Sequence, residues 1–266
     1  VGYMEVTVIC LALFAGHISA WLPSRPIFRS ALPQTRHFGA PLALGIDVGT
    51  GSARCGVFSL EGKLLGSHSI EIQTFQPKGM PEMYEQSSED IWRSVCKATQ
   101  KALEKAEVDA NDVIGVGFDA TCSLVCLDEQ GQPVSVDPTT AIDDHERNII
   151  VWLDHRAKDQ AARINAGGHP ALRTVGGVIS LEMEIPKLMW LKENMPEKWL
   201  LSPDERKEAQ LENSQQQQQR RFAKFFDLSD FLVWRATGQD DEAPRSLCTT
   251  VCKWNFDALP KEGGGG

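Results

Sequence analysis

A turn between the first two predicted strands carries the residues best suited to phosphate chemistry. An apolar strand ends at Asp47, the turn Gly49-Thr50-Gly51-Ser52 follows, and Arg54 comes two positions later. Clustered backbone N–H groups and hydroxyls suit phosphate oxygens, and a carboxylate at a strand end suits a hydrated Mg²⁺ that bridges phosphates. These residues alone leave two interpretations open, a phosphate site or an ordinary hairpin with an Asx-type turn.

Two later strands also end in a carboxylate, Asp119 in GFDATCS and Asp154 in VWLDHRA. In open α/β sheets, ligands bind beyond the carboxyl ends of the strands. Carboxylates placed there accept hydrogen bonds from sugar hydroxyls, and Trp152 offers an apolar face for a carbon skeleton. The alternative for Asp154 is an N-cap of the helix that follows it.

The elements that position these residues are predicted from hydrophobic periodicity and turn signals. Three strands open the globular part, and Glu61-Gly62 forms the turn between the second and the third. Ser87-Ser88-Glu89-Asp90 is typical of a helix N-terminus, with acidic residues in the first turn. Strands alternate with helices afterwards, which predicts an α/β fold. The predicted strands are 42–46, 55–60, 63–72, 113–118, 123–128 and 148–153, and the predicted helices are 91–106, 154–166, 181–194 and 231–236.

Composition narrows the class of protein. The chain has 266 residues, a net charge of −9 and a pI near 5.2, which argue against a nucleic-acid binder. Its seven cysteines include the i, i+4 pairs Cys122/Cys126 and Cys248/Cys252, with no histidine close in sequence to either pair. This spacing favours small apolar core residues over a zinc site.

Both ends and one internal segment differ from the rest of the chain. Residues 1–40 combine a short apolar stretch with a basic, Ser-containing segment, and 6–46 hold no acidic residue. This order is typical of a signal peptide followed by a transit segment, although an artefact of gene prediction is the alternative. The apolar stretch is too short to span a bilayer. Residues 201–221 are predicted to be a Gln-rich surface insertion, and 263–266 a glycine linker or a point of truncation.

Several stretches together resemble the N-terminal lobe of an FGGY-family carbohydrate kinase. They are IDVGTGSARCGVF, EQSSEDIW, GVGFDATCSLVCLDEQGQP, IVWLDHRA, GGVISLEMEIPKLMWLKENMP, FFDLSDFLVWRATG and RSLCTTVCKWNFD. Within the family, DATCS and EIPK resemble the ribulokinase branch, in particular eukaryotic FGGY-domain D-ribulokinases. The resemblance implies an actin-like or RNase H-like ATPase lobe over 41–262. That lobe has a mixed sheet with an antiparallel three-strand start, flanked by helices. The resemblance also implies a second lobe, which is expected to lie outside this sequence.

The resemblance also implies ATP-dependent phosphorylation of a sugar hydroxyl, with D-ribulose or a related pentulose as the acceptor and Mg²⁺ as the metal. Asp47 would hold Mg²⁺ through water. The phosphate-binding residues would be Gly49, Thr50, Gly51, Ser52 and Arg54, and the sugar-binding residues Asp119, Thr121, Cys122, Trp152, Asp154 and Lys187. Lys187 follows Pro186 as in the Pro-Lys pair of ribulokinases, and Glu184 is a weaker candidate. The catalytic base is expected in the second lobe, so no catalytic residue is assigned here and the fragment alone is expected to be inactive.

The remaining expectations concern partners and location. The resemblance implies a small-molecule sugar as substrate and leaves the oligomeric state open, with a homodimer as one option. The acidic composition predicts no nucleic-acid partner, and the short apolar stretch predicts no stable membrane span. It implies a cytoplasmic protein, whereas the leader indicates secretory entry or a plastid. Two alternatives stay open: a truncated, non-catalytic remnant that binds a sugar or a partner, and a kinase of another FGGY substrate such as xylulose, a pentitol or glycerol. An Hsp70 or actin-type ATPase is disfavoured by DATCS, WLDHRA and SLCTTVCKW.

Overall fold

The computed structural model describes residues 39–139, 146–199, 220–239 and 241–256. Residues 1–38 of the predicted leader, residues 201–219 of the predicted Gln-rich insertion 201–221 and the C-terminal glycines lie outside the described residues. The described chain forms two compact units. Unit 1 takes 39–72, 91–120 and 232–243 without 240, and unit 2 takes 73–90, 121–231 and 244–256 where these are described.

Eight strands and five α-helices lie within the described residues. The strands are β1 (Leu42–Val48), β2 (Ser52–Ser59), β3 (Leu64–Glu71), β4 (Glu85–Gln86), β5 (Val113–Ala120), β6 (Leu124–Leu127), β7 (Ile149–Ile150) and β8 (Lys224–Asp227). The helices are α1 (Ser88–Ala106), α2 (Lys158–Gly167), α3 (Glu184–Asn194), α4 (Leu228–Ala236) and α5 (Leu247–Lys253).

Unit 1 contains a mixed sheet in the order β3-β2-β1-β5. The first three strands are antiparallel neighbours and β5 runs parallel to β1, so the predicted antiparallel three-strand start is confirmed. Alternate residues of β1 and β2 are buried, among them Ile46, Val48 and Val57, which is the period-two pattern of a strand with one covered face. The edge strand β5 was expected to be buried but is only half covered, with Val113 its one buried residue.

Helix α1 packs against the buried face of this sheet. Ile91, Val95, Ala98 and Ala102 line its buried side, as the helical spacing predicts. The helix backbone comes close to Gly66 on β3, where a Cβ atom would lie 2.7 Å from the Ala102 carbonyl oxygen. Glycine at this position therefore allows the helix backbone to contact the sheet.

Unit 2 contains a second, antiparallel sheet that the sequence did not predict, in the order β4-β7-β6-β8. Leu124, Cys126 and Ile150 from this sheet pack with Trp190 and Leu191 of α3 in one buried cluster.

The predicted N-terminus of α1 is confirmed, because the Ser87 hydroxyl accepts a hydrogen bond from the Asp90 N–H at 3.1 Å. Within the described residues, no helix is long and apolar enough to cross a membrane.

Candidate functional site

The predicted phosphate turn lies at the tip of the β1–β2 hairpin in unit 1. Asp47 and Arg54 are register partners on the two strands. The Arg54 guanidinium lies 2.7 Å from the Asp47 carboxylate and donates a second hydrogen bond to the Ser52 hydroxyl at 3.1 Å. About half of each charged side chain stays exposed, so this ion pair contributes little to stability. The turn therefore presents a carboxylate, a guanidinium and a hydroxyl to solvent.

Asp119 joins this group through strand pairing. It is the register partner of Asp47 on the parallel strand β5. Asp47, Arg54 and Asp119 line one open cleft of about 850 Å³ in unit 1, together with Phe58 and Lys105. Of the residues predicted to bind sugar, Asp119 is thus the one that the fold places beside the predicted phosphate residues.

The donor set in this cleft fits a magnesium-bound polyphosphate. Mg²⁺ prefers carboxylate oxygens and keeps several of its waters, and a half-exposed Asp47 can meet it through water. Arginine pairs with phosphate in a planar, bidentate manner. A Cβ atom on Gly51 would meet no atom within 4 Å, so the turn is open at that position. Thr50 is half-buried and interacts with other groups of the protein.

The other predicted sugar residues lie in unit 2, where a loop of Thr121, Cys122 and Ser123 leads into β6. The Ser123 hydroxyl accepts a hydrogen bond from the Trp152 N–H at 3.2 Å, which ties this loop to the residues that follow β7. The hydroxyl oxygen of Thr121 is buried and has no hydrogen-bond partner within the described residues. Burial raises the pKa of the Cys122 thiol, and the nearby Asp227 carboxylate adds to the effect.

Lys187 and Glu184 form a buried ion pair on the first turn of α3. Both side chains are fully buried, and the Lys187 ammonium lies 3.6 Å from the Glu184 carboxylate, beyond hydrogen-bond distance. None of their charged atoms has a hydrogen-bond partner among the residues that the structure describes. Burial raises the pKa of Glu184 to about 7, against the opposing charge of Lys187. Buried charges in native proteins are normally paired and hydrogen-bonded, so these two side chains are candidates for contact with a ligand.

Sequence reasoning missed Asp227, a buried carboxylate at the end of β8. Its two oxygens are also buried without a hydrogen-bond partner in the described part of the chain. Burial raises its pKa to about 6. Asp227 closes an apolar strand in FFDLSDF, and this signal of a carboxylate at a strand end is the one that singled out Asp47, Asp119 and Asp154. Electrostatic interactions link Asp227 to Cys122, Glu184 and Lys187, and Thr121 directly precedes Cys122. We call these five residues the polar cluster of unit 2.

Asp154 does not contribute a free carboxylate to this cluster. It is fully buried and accepts hydrogen bonds from the Tyr84 N–H at 2.7 Å and from the Arg156 guanidinium at 2.8 Å. Arg156 also bonds Glu85 at 2.9 Å, and burial raises the pKa of Glu85 to about 7 despite that guanidinium. Nor is Asp154 an N-cap, since α2 begins at Lys158 after an Ala157 cap. The geometry assigns Asp154 to a structural ion network, and its contact with sugar stays a prediction.

Comparison with known proteins identifies the family. The N-terminal domain of the FGGY family of carbohydrate kinases matches residues 42–202. This chain belongs to the FGGY family of carbohydrate kinases. It is 44% identical over 215 residues to an FGGY carbohydrate kinase domain-containing protein of Homo sapiens, covering 81% of the chain. It is 38% identical over 225 residues to a D-ribulokinase of Saccharomyces cerevisiae, covering 84% of the chain.

Solved structures show the same fold. A xylulose kinase from Brucella ovis matches with a TM-score of 0.54 at 18% identity, over 73% of the chain and 34% of that protein. A xylulose kinase from Lactobacillus acidophilus matches with a TM-score of 0.51 at 17% identity, over 73% of the chain and 33% of that protein. These sugar kinases have the actin-like ATPase fold. The FGGY chain spans about a third of the length of the curated relatives described above, which it covers at 34% and 28%.

Proposed function

We propose that this FGGY chain provides the sugar-binding site and the first phosphate-binding turn of an ATP-dependent kinase that phosphorylates a pentulose, with D-ribulose as the first choice. The observation that carries the proposal is the polar cluster of unit 2, where a lysine and two carboxylates are buried without hydrogen-bond partners in the described residues. Groups of this kind fit a ligand rich in hydroxyl and carbonyl oxygens.

The choice of D-ribulose rests on likeness to a relative. The D-ribulokinase of Saccharomyces cerevisiae is 38% identical over most of the chain, whereas a xylulose kinase of Staphylococcus xylosus is 25% identical and a glycerol kinase of Sulfolobus acidocaldarius 26% identical. In this proposal Lys187 donates a hydrogen bond to a ketose oxygen, and Thr121 and Cys122 line the sugar. Trp152 covers its carbon skeleton.

The cleft of unit 1 serves the nucleotide end of the reaction. ATP, when bound with Mg²⁺, supplies the phosphoryl group. Asp47 would hold the metal through water, and Arg54 and Ser52 would bind phosphate oxygens in place of their mutual contacts. Phosphoryl transfer depends mainly on positioning and on stabilisation of charge, which these residues offer. It also needs a base for the sugar hydroxyl, and we assign that role to no residue of this chain.

A coupled ADP-release assay tests the proposal. The full-length gene product that carries this chain is assayed with D-ribulose, D-xylulose, pentitols and glycerol, and turnover is expected to be highest with D-ribulose. Faster turnover with glycerol than with any ketopentose would refute the ribulokinase assignment. The purified 266-residue chain, as the matched control, is expected to show no turnover, because the base is proposed to lie elsewhere.

A further inference from the structure

Asp227 differs from the buried Asp154 and Asp230 because its carboxylate oxygens form no hydrogen bond at normal distance within the described residues. Its side chain is fully buried, and neither oxygen has a hydrogen-bond partner in the described ranges. Native proteins rarely keep a buried carboxylate without hydrogen bonds or a close counter-charge, and each exception needs an explanation. Asp227 directly precedes α4, and the backbone N–H of Ser229 favours its charged form, yet burial is the larger effect and still raises its pKa.

Asp230, three residues further on, shows what a structural aspartate looks like in the same segment. It is also buried, but one oxygen accepts a hydrogen bond from the Ser246 N–H at 2.7 Å and the other from the Thr249 hydroxyl at 2.8 Å. Asp230 thereby holds the N-terminus of α5 in place. The same segment thus carries one aspartate that is satisfied by the protein and one that is not.

The position of Asp227 connects it to the proposed sugar site. Strand pairing places Asp227 opposite Leu124, the first residue of β6, directly after the loop that holds Thr121 and Cys122. The charge of Asp227 acts on both the Cys122 thiol and the Glu184 carboxylate. The ammonium groups of Lys253 and Lys187 in turn act on Asp227. Asp227 therefore lies among the groups that already indicate a ligand.

We propose that Asp227 is a sugar-binding residue that accepts a hydrogen bond from a substrate hydroxyl and helps to select neutral sugars over sugar acids. The proposal rests on the proposed function, because it takes the ligand of the polar cluster to be a sugar. A carboxylate only accepts hydrogen bonds and an ammonium only donates them. A ketose satisfies Asp227 with a hydroxyl hydrogen and Lys187 with an oxygen, whereas the carboxylate of a sugar acid is repelled by Asp227.

Binding of two matched probes to the 266-residue chain tests this assignment. Isothermal titration calorimetry measures the affinity for D-ribulose and for D-ribonate in the unaltered chain and in the Asp227→Asn variant. Loss of a hydrogen bond to a charged acceptor should weaken D-ribulose binding about tenfold or more. D-ribonate should lose less affinity or gain some, because the variant removes one negative charge. The affinity for D-ribulose divided by the affinity for D-ribonate should therefore be lower in Asp227→Asn than in the unaltered chain. A purely structural role would not change this ratio.

Asp230→Asn is the matched control, because it changes the same side chain three residues away. It should lower the unfolding midpoint but leave the affinity of the folded protein for D-ribulose unchanged. A folded Asp227→Asn chain that binds D-ribulose as tightly as the unaltered chain would overturn the sugar-binding role of Asp227. It would leave the proposed function of the chain standing. An equal drop in affinity for both probes would overturn the selectivity. An unaltered chain that binds no ketopentose, pentitol or glycerol would refute the proposed function itself.

Folding of the variants gives a further outcome. If Asp227→Asn does not fold, Asp227→Ser is measured in the same way with the same expectation. A residue kept for a ligand should be dispensable for folding. Failure of both variants to fold, judged by circular dichroism, would therefore overturn the proposal.

Discussion

The Asp227→Asn change should alter how the stability of this FGGY chain depends on pH. Burial raises the pKa of Asp227 from 3.8 to about 6, so the folded protein holds this proton more tightly than the unfolded chain does. The resulting stabilisation is complete below pH 3.8 and is lost as the pH rises through 6. A pKa raised by about 2 corresponds to about 3 kcal/mol of unfolding free energy. Asparagine does not titrate, so the variant lacks this loss.

Urea denaturation at pH 4, 6 and 8, followed by tryptophan fluorescence, measures the effect. The unfolding free energy of Asp227→Asn minus that of the unaltered chain should rise by about 2 kcal/mol between pH 4 and pH 8. This rise is most of the stabilisation of about 3 kcal/mol that the raised pKa provides at low pH. Asp230→Asn serves as the control and should be destabilised, because the N–H of Ser246 and the hydroxyl of Thr249 lose their charged acceptor. A difference between Asp227→Asn and the unaltered chain that does not change with pH would refute the reasoning.

Four further changes test other parts of the structure. Arg156→Leu should destabilise the chain by about 3 to 5 kcal/mol in urea denaturation, because it leaves two buried carboxylates without a counter-charge; a loss under about 1 kcal/mol would contradict the ion network. Lys187→Met should weaken D-ribulose binding about tenfold or more in calorimetry, with the circular dichroism spectrum unchanged; unaltered affinity would exclude a contact with sugar. Gly66→Ala should cost about 1 to 3 kcal/mol of stability because α1 leaves no room for a Cβ atom, whereas Gly115→Ala, with no atom within 4 Å, should change stability by less than about 0.5 kcal/mol; equal effects would argue against the close packing.

The opening of the fold could be predicted because its determinants are local. Alternating apolar residues and glycine-containing turns define β1, β2 and β3 within 30 residues of sequence, and the structure confirms them. The second sheet could not be predicted in the same way. It pairs the two-residue strand Glu85–Gln86 with Ile149–Ile150, and pairing between such short and distant strands depends on the surrounding tertiary packing rather than on a local pattern.

The candidate site divides in a similar manner. The grouping of Asp47, Ser52 and Arg54 could be predicted from residue types alone, because one hairpin brings the carboxylate, hydroxyl and guanidinium together. Phosphate binding by this turn stays a prediction. Asp154 and Asp227 show where that reasoning ends. Both close a strand-like run, but Asp154 is hydrogen-bonded to Arg156, while neither oxygen of Asp227 has a hydrogen-bond partner at normal distance in the described residues. Which strand-end carboxylate remains available to a ligand depends on the neighbours supplied by the whole fold, and the sequence pattern does not contain that information.

A crystal structure of the chain with D-ribulose would test most directly whether unit 2 carries the sugar site of an FGGY kinase. The account predicts the ketose in the polar cluster, with one of its oxygens within hydrogen-bond distance of the Lys187 Nζ atom and one of its hydroxyls on the Asp227 carboxylate. A sugar bound away from Lys187, with Glu184 and Asp227 still without partners in the complex, would contradict it.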